Sequence, residues 1–315
     1  MNASQWGLLD LVLVAALLLL AVGALHSRNL RHAVILFIAF GLVLALAWAR
    51  LRAPDVALAE AAIGAGLAGA LLLAALRDAP STPEQPPAPR WNLLLSLLVA
   101  LLTAGMGWAL LHGLEYGDPL RLAGQVRANL ESSGVGNPVT AVLLNFRAYD
   151  TLLELAVLLA ALLGVLALGP ARPPYRPAGP VLGGLVAWLV PLLILTGGYQ
   201  LWVGAQAPGG AFQAGALLAA AGVVLHLAGR QHAGLPAGPG LRALAVGGVA
   251  VFTAVGLATL WWGGAFLAYP AGWAGALILL IESFATLAIA VTLVLVYLGG
   301  APAHWHGDAA KERAP

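Results

Sequence analysis

The stretch "QAPGGAFQAGALLAAAGVVLHLAGR" occupies Gln206 to Arg230. A proline and two glycines, Pro208-Gly209-Gly210, stand between two apolar runs, 181–203 and 211–229. How this interruption is read decides the fold, because the residues on both sides look like lipid-facing protein. Hydrophobic residues make up 61% of the 315 positions and charged residues only 9%, against about a quarter charged in a soluble domain. That balance predicts an all-α polytopic membrane protein. Lipid offers no partner to an open strand edge, so the spans are helical. A crossing needs about 20 apolar residues. Runs of about that length fall at 8–25, 33–49, 55–76, 93–112, 150–168, 181–203, 211–229, 241–262 and 274–298. The expectation is therefore about nine transmembrane helices, with Pro208 separating the sixth from the seventh.

Lys and Arg placement sets the orientation. With the N-terminus outside and the C-terminus inside, Arg28, Arg31, Arg77, Arg90, Arg172 and Arg230 are among the larger inside set. Arg50, Arg52, Arg121, Arg127 and Arg147 fall outside, the last three in an expected long external loop over 113–149. The N-terminus lacks the basic region of a signal peptide, so the first run reads as a retained helix. The formal charge of +2 suggests no nucleic-acid partner, and the absence of cysteine excludes disulfides, thiolate metal sites and cysteine catalysis. The proline-rich "RDAPSTPEQPPAPR" (77–90) and "GPARPPYRPAGP" (169–180) read as extended linkers.

Charged residues inside spans are costly and are functional candidates. In "RAPDVALAEAAIGAGLAGALL" (52–72), Pro54 suits a first helical turn and Asp55 complements its dipole, so a cap and a functional carboxylate are equally good readings of Asp55. Glu60 lies roughly 7.5 Å deeper, beyond the reach of capping. Gly64, Gly66 and Gly69 beside it make a surface for close helix approach. In "NPVTAVLLNFRAYDTLLELAVLLAALLGVLAL" (137–168), Arg147, Asp150 and Glu154 share one face of a continuous helix. A salt-bridge ladder at the interface accounts for Arg147 and Asp150. It accounts poorly for Glu154, which an apolar run follows, so function is favoured there. Glu282 has no basic residue in its own helix; Ser283 and Thr286 are candidate hydrogen-bond partners. It reads equally well as a protonated polar contact between helices and as a functional carboxylate. His226 reads as interfacial, and His304 and His306 are too few for a metal site. No phosphate-binding loop or catalytic triad is present, and neither a metal nor a cofactor is expected. The break reads equally as irregular backbone buried in protein or lining a wet cavity and as a tight turn at the outer surface; the turn explains Gly209 and Gly210 but not Gln213.

Three motifs resemble known families. "APDVALAEAAIGAGL" resembles the MbhD-like domain, "NPVTAVLLNFRAYDTLLELAVL" the MbhE-like domain, and "APGGAFQAGALLAAA" the B subunit of Mrp antiporters, the MnhB family. The likeness implies an MbhD-like three-helix domain over 1–78, a linker over 79–92 and an MbhE-like two-helix domain over 93–169. A second linker over 170–180, an MnhB-like four-helix domain over 181–300 and a polar tail over 301–315 follow. It also implies a subunit of a multi-subunit cation/proton antiporter, with sodium the expected cation, in the bacterial plasma membrane. The alternatives are the membrane arm of a hydrogenase-type complex and a structural scaffold. The family's transport-linked acidic residue corresponds to Glu154, its first-motif acids to Asp55 and Glu60, and its glycine-rich element to Pro208, Gly209, Gly210, Phe212, Gln213 and Gly215. Ala211 and Ala214 stand where glycine is usual. The large subunit's lysine-bearing domain has no counterpart, since Lys311 is the only lysine. The implied partners are therefore large antiporter-like subunits and small membrane subunits, acting on cations and protons within the bilayer. The chain itself is expected to be a transport subunit and not an enzyme.

Overall fold

A computed structural model describes residues 7–76, 92–116, 119–168, 179–230, 235–236, 238–262, 264–270 and 272–299. The linkers over 79–92 and 170–180 fall almost wholly outside the described residues, as does the tail with His304, His306 and Lys311. Among the described residues every regular element is helical. Residues 78–129 make one compact unit, and residues 1–77 with 130–315 make another.

The larger unit opens with α1 (Leu8–His26) and α2 (Leu30–Arg50). Asn29 starts α2 as its side chain accepts the N–H groups of Arg31 and His32, donors left over at any helix start. Arg50 reaches back to Asp10 at 2.9 Å and ties the two helices together. No residue of α1 is buried in this chain, so its leucines meet lipid or another protein. Next, α3 (Pro54–Ala75) contains a π-helical stretch over Glu60–Leu67. The smaller unit holds α4 (Asn92–Tyr116) and α5 (Pro119–Asn129).

The larger unit resumes with α6 (Pro138–Ala141), which runs into a π-helical turn over Val142–Phe146, and then α7 (Ala148–Ala167). The long loop expected over 113–149 is thus largely helical. The physical signals were Pro119 and Asn137-Pro138: proline is favoured at a first helical position, and the Asn137 side chain accepts the Val139 N–H as a cap. The last four helices are α8 (Pro180–Val203), α9 (Ala211–Leu227), α10 (Pro239–Trp262) and α11 (Ala274–Tyr297).

Among the described residues eight helices are long and apolar enough to cross a membrane, making this a multi-pass membrane protein. The run expected as the seventh span, α9, has 17 residues and falls short of that length. The core gathers around α11, where Ile278, Ile281, Ile289 and Val294 are fully buried and pack with Phe252 of α10. Small residues let α9 come close: a Cβ on Gly215 would lie 2.7 Å from Ile289 and 3.1 Å from the Thr286 carbonyl. Because Gly210 meets Glu282 and Gly215 meets Thr286 and Ile289, α9 and α11 run parallel. Glu282 lies roughly 12 Å along α11 at 1.5 Å per residue. The start of α9 is therefore level with the third turn of α11, well below that helix's end.

Candidate functional site

The site is built on the interruption between α8 and α9. After Val203 the chain turns sharply: the N–H groups of Gln206 and Ala207 both donate to the Val203 carbonyl, and Gly210 N–H donates to the Gln200 carbonyl at 2.9 Å. Glycine is required at three points. A Cβ on Gly204 would lie 2.5 Å from the Gly210 nitrogen, and one on Gly209 would lie 2.6 Å from the Gln200 oxygen. Gly210 itself has φ +113, a region that side chains disfavour.

Backbone that leaves helical form at this depth needs other partners, and distant segments supply them. Asp55, in the first turn of α3, accepts the Gly209 N–H at 3.1 Å. Gln213 donates to the Asp55 backbone carbonyl at 3.1 Å. Asn137 donates to the carbonyls of Gly204 and Ala207, at 3.3 and 3.0 Å, and to Asp55 at 3.4 Å. Thr140 donates to Gly204 at 2.6 Å. The Asp55 carboxylate is therefore buried and takes part in a three-way joint; it is no mere cap at a surface.

Beside this joint is a cavity of about 230 Å³. Among the described residues its polar side chains are Asp55, Thr140, Thr151, Gln213 and Glu282, and no basic one lines it. Glu282 is 2% exposed. Its carboxylate interacts with the Ala211 backbone N–H, at the positive end of α9. The second oxygen, Oε2, has no hydrogen-bond partner among the described residues, nor does the Thr286 hydroxyl one turn on. Ser283, a candidate partner for Glu282, instead donates to the Leu279 carbonyl of its own helix at 2.7 Å.

The remaining candidates lie elsewhere. Glu60 is half-buried and folds over Gly64 into a notch of α2, where a Cβ on Gly41 would lie 3.3 Å from its carboxylate. It does not line the cavity. The single helical face expected for Arg147, Asp150 and Glu154 is interrupted. Arg147 has φ −129 and precedes α7, because the π-helical turn before it ends the earlier helix. Arg147 and Asp150 pair at 2.5 Å with their side chains 71% and 43% exposed. Glu154 is exposed, and no cation among the described residues pairs with it. It lines an open groove with Asp150, Val157, Ala161 and Phe212. Sequence reasoning passed over Asn137, Thr140 and Thr151. The Asn-Pro pair was a legible helix start; nothing local marked the reach of Asn137 to the break.

Residues 15–81 match the MbhD family of MBH subunits, and residues 181–302 match the domain related to the MnhB subunit of Na+/H+ antiporter. No curated protein matches the chain. Among solved structures, a chain in the structure of the Mrp complex from Dietzia sp. DQ12-45-1b shares the fold, with a TM-score of 0.73 at 24% identity. The match covers 95% of this chain and 36% of that one, so this chain spans about a third of its length. One polypeptide thus carries a stretch that matches the MbhD family and one that matches the MnhB-related domain, on a fold found in an Mrp complex.

Proposed function

We propose that the chain is a membrane subunit of an Mrp-type cation/proton antiporter in the bacterial plasma membrane, and that its carboxylates line an ion route. One observation carries this reading: Asp55 and Glu282 line the same cavity, and among the described residues no basic one lines it. Two buried carboxylates without a basic partner need protons or a metal cation as counter-charge. A group that can take either is what exchange of a cation for a proton requires. Asp55 is held by N–H donors and stays in place, while Glu282 has an oxygen to offer. Glu154 and Asp150, the latter paired with Arg147, form the entrance groove. Glu60 lies along α3 beside the joint. Large antiporter-like and small membrane subunits are the partners, with sodium as the cation.

The test uses everted vesicles that contain the whole complex. Vesicles lacking this chain are expected to lose cation-driven proton movement, and returning the chain restores it, with sodium more effective than potassium. Full antiport without the chain would leave only a scaffold role. Glu154→Gln is expected to slow antiport about tenfold, equivalent to ~1.4 kcal/mol of barrier, with Glu154→Asp retaining part of the rate. Unchanged rates in Glu154→Gln would remove that residue from the route. The match to the MbhD family favours a second reading, the membrane arm of a redox-driven complex. Antiport in vesicles without any electron donor discriminates against it.

A further inference from the structure

The interior cavity and the outer groove share one wall. Phe212, in the first turn of α9, lines both the cavity holding Asp55 and Glu282 and the groove holding Asp150 and Glu154. The two sides of α7 are divided in the same way: Thr151 and Leu155 face the cavity, while Glu154 and Val157 face the groove. The exposed rim of the cavity is apolar, made by Val56, Val139 and Leu143. Such a rim meets lipid or another subunit and admits no hydrated ion. The carboxylates beyond Phe212 are therefore the polar continuation of the cavity. The cavity has room for several waters and Glu282 lines it; its buried Oε2 has no hydrogen-bond partner among the described residues. Phe212 itself is only partly buried. It follows Gly209 and Gly210, and an aromatic side chain turns about two χ angles.

We propose that Phe212 is a movable partition between the two chambers. With the ring in the position seen here, Glu282 and Glu154 are separated; when it swings aside, water and a proton or monovalent cation pass between them. This rests on the ion-route reading for its purpose, but its geometry can be tested without transport.

The chain has no cysteine, so single reporters can be read without removing any. In the assembled complex in lipid nanodiscs, Ala285→Cys reports on the cavity, where Ala285 is 4% exposed. Val157→Cys reports on the groove. Both are treated with a charged, membrane-impermeant methanethiosulfonate, and the mass of this chain is followed. Ala285→Cys should react slowly, and adding Phe212→Ala should accelerate it on the order of tenfold, since the reaction needs an accessible thiolate. Val157→Cys should react at the same rate in both backgrounds. Should Ala285→Cys fail to assemble, Ala59→Cys on the same cavity is read in its place. Fast labelling of the cavity reporter with Phe212 present, no acceleration on its removal, or a groove reporter that changes or fails to react would each overturn the partition. Labelling requires no antiport, so failure of the ion-route reading in vesicles leaves this result independent.

Discussion

Glu282→Gln should nearly abolish cation-driven proton movement and leave the complex assembled. Glutamine keeps the volume and length of the side chain, and its amide oxygen can still face the Ala211 N–H at the start of α9. What is lost is the ability to bind and release a proton, together with the negative charge that attracts a cation. Glu282 is 2% exposed, and the other carboxylate among the described lining residues, Asp55, is already held by the Gly209 N–H and Asn137, so no free lining carboxylate takes over its charge. A loss of at least about a hundredfold in initial rate, ~2.7 kcal/mol, is expected for a group that carries the ion itself. The measurement is dissipation of a pH gradient in everted vesicles on adding sodium, with assembly followed on native gels. Undiminished antiport with normal assembly would show that Glu282 is a polar contact between helices. Glu282→Asp gives a second reading. It keeps the charge but withdraws it from Gly210, and should fall between the wild type and Glu282→Gln.

Particular residues show how far the sequence alone could reach. Pro208, Gly209, Gly210 and Gly215 were legible because positive φ and close backbone approach leave a compositional trace. Glu282 was legible as a lone carboxylate in an apolar run. The pairing of Asp55 with Gly209 was not, because the two are 154 positions apart and no local period encodes that meeting. For the same reason the joint made by Asn137 and Thr140 escaped notice. The face assigned to Arg147, Asp150 and Glu154 assumed an unbroken 3.6-residue repeat. The π-helical turn over Val142–Phe146 shifts that repeat and leaves Arg147 outside the helix. Emphasis accordingly moves from Glu154, the strongest candidate by spacing, to Asp55 and Glu282, which the fold brings to one cavity.

Replacing Gly210 with leucine should prevent the complex from assembling. Gly210 has φ +113, and holding a side-chain-bearing residue in such a region costs roughly 1–3 kcal/mol. Sterics add to this, since a Cβ there would lie 3.0 Å from Oε1 of Glu282. The Gly210 N–H also closes the turn on the Gln200 carbonyl, so a backbone that relaxes to relieve the strain gives up that bond. It also moves Gly209 away from Asp55, and with it the link to α3. Gly210→Ala carries most of the backbone strain with little added bulk, and should assemble in reduced yield. Gly198→Leu is the control. It lies in α8 close to the same break, but a Cβ there meets nothing within 4 Å, so normal yield is expected. Complex recovered in mild detergent and its thermal stability on native gels are the readouts. Equal recovery of Gly210→Leu and Gly198→Leu would mean that the break tolerates an ordinary residue, and the joint between α3, α6 and α9 would then not depend on its glycine.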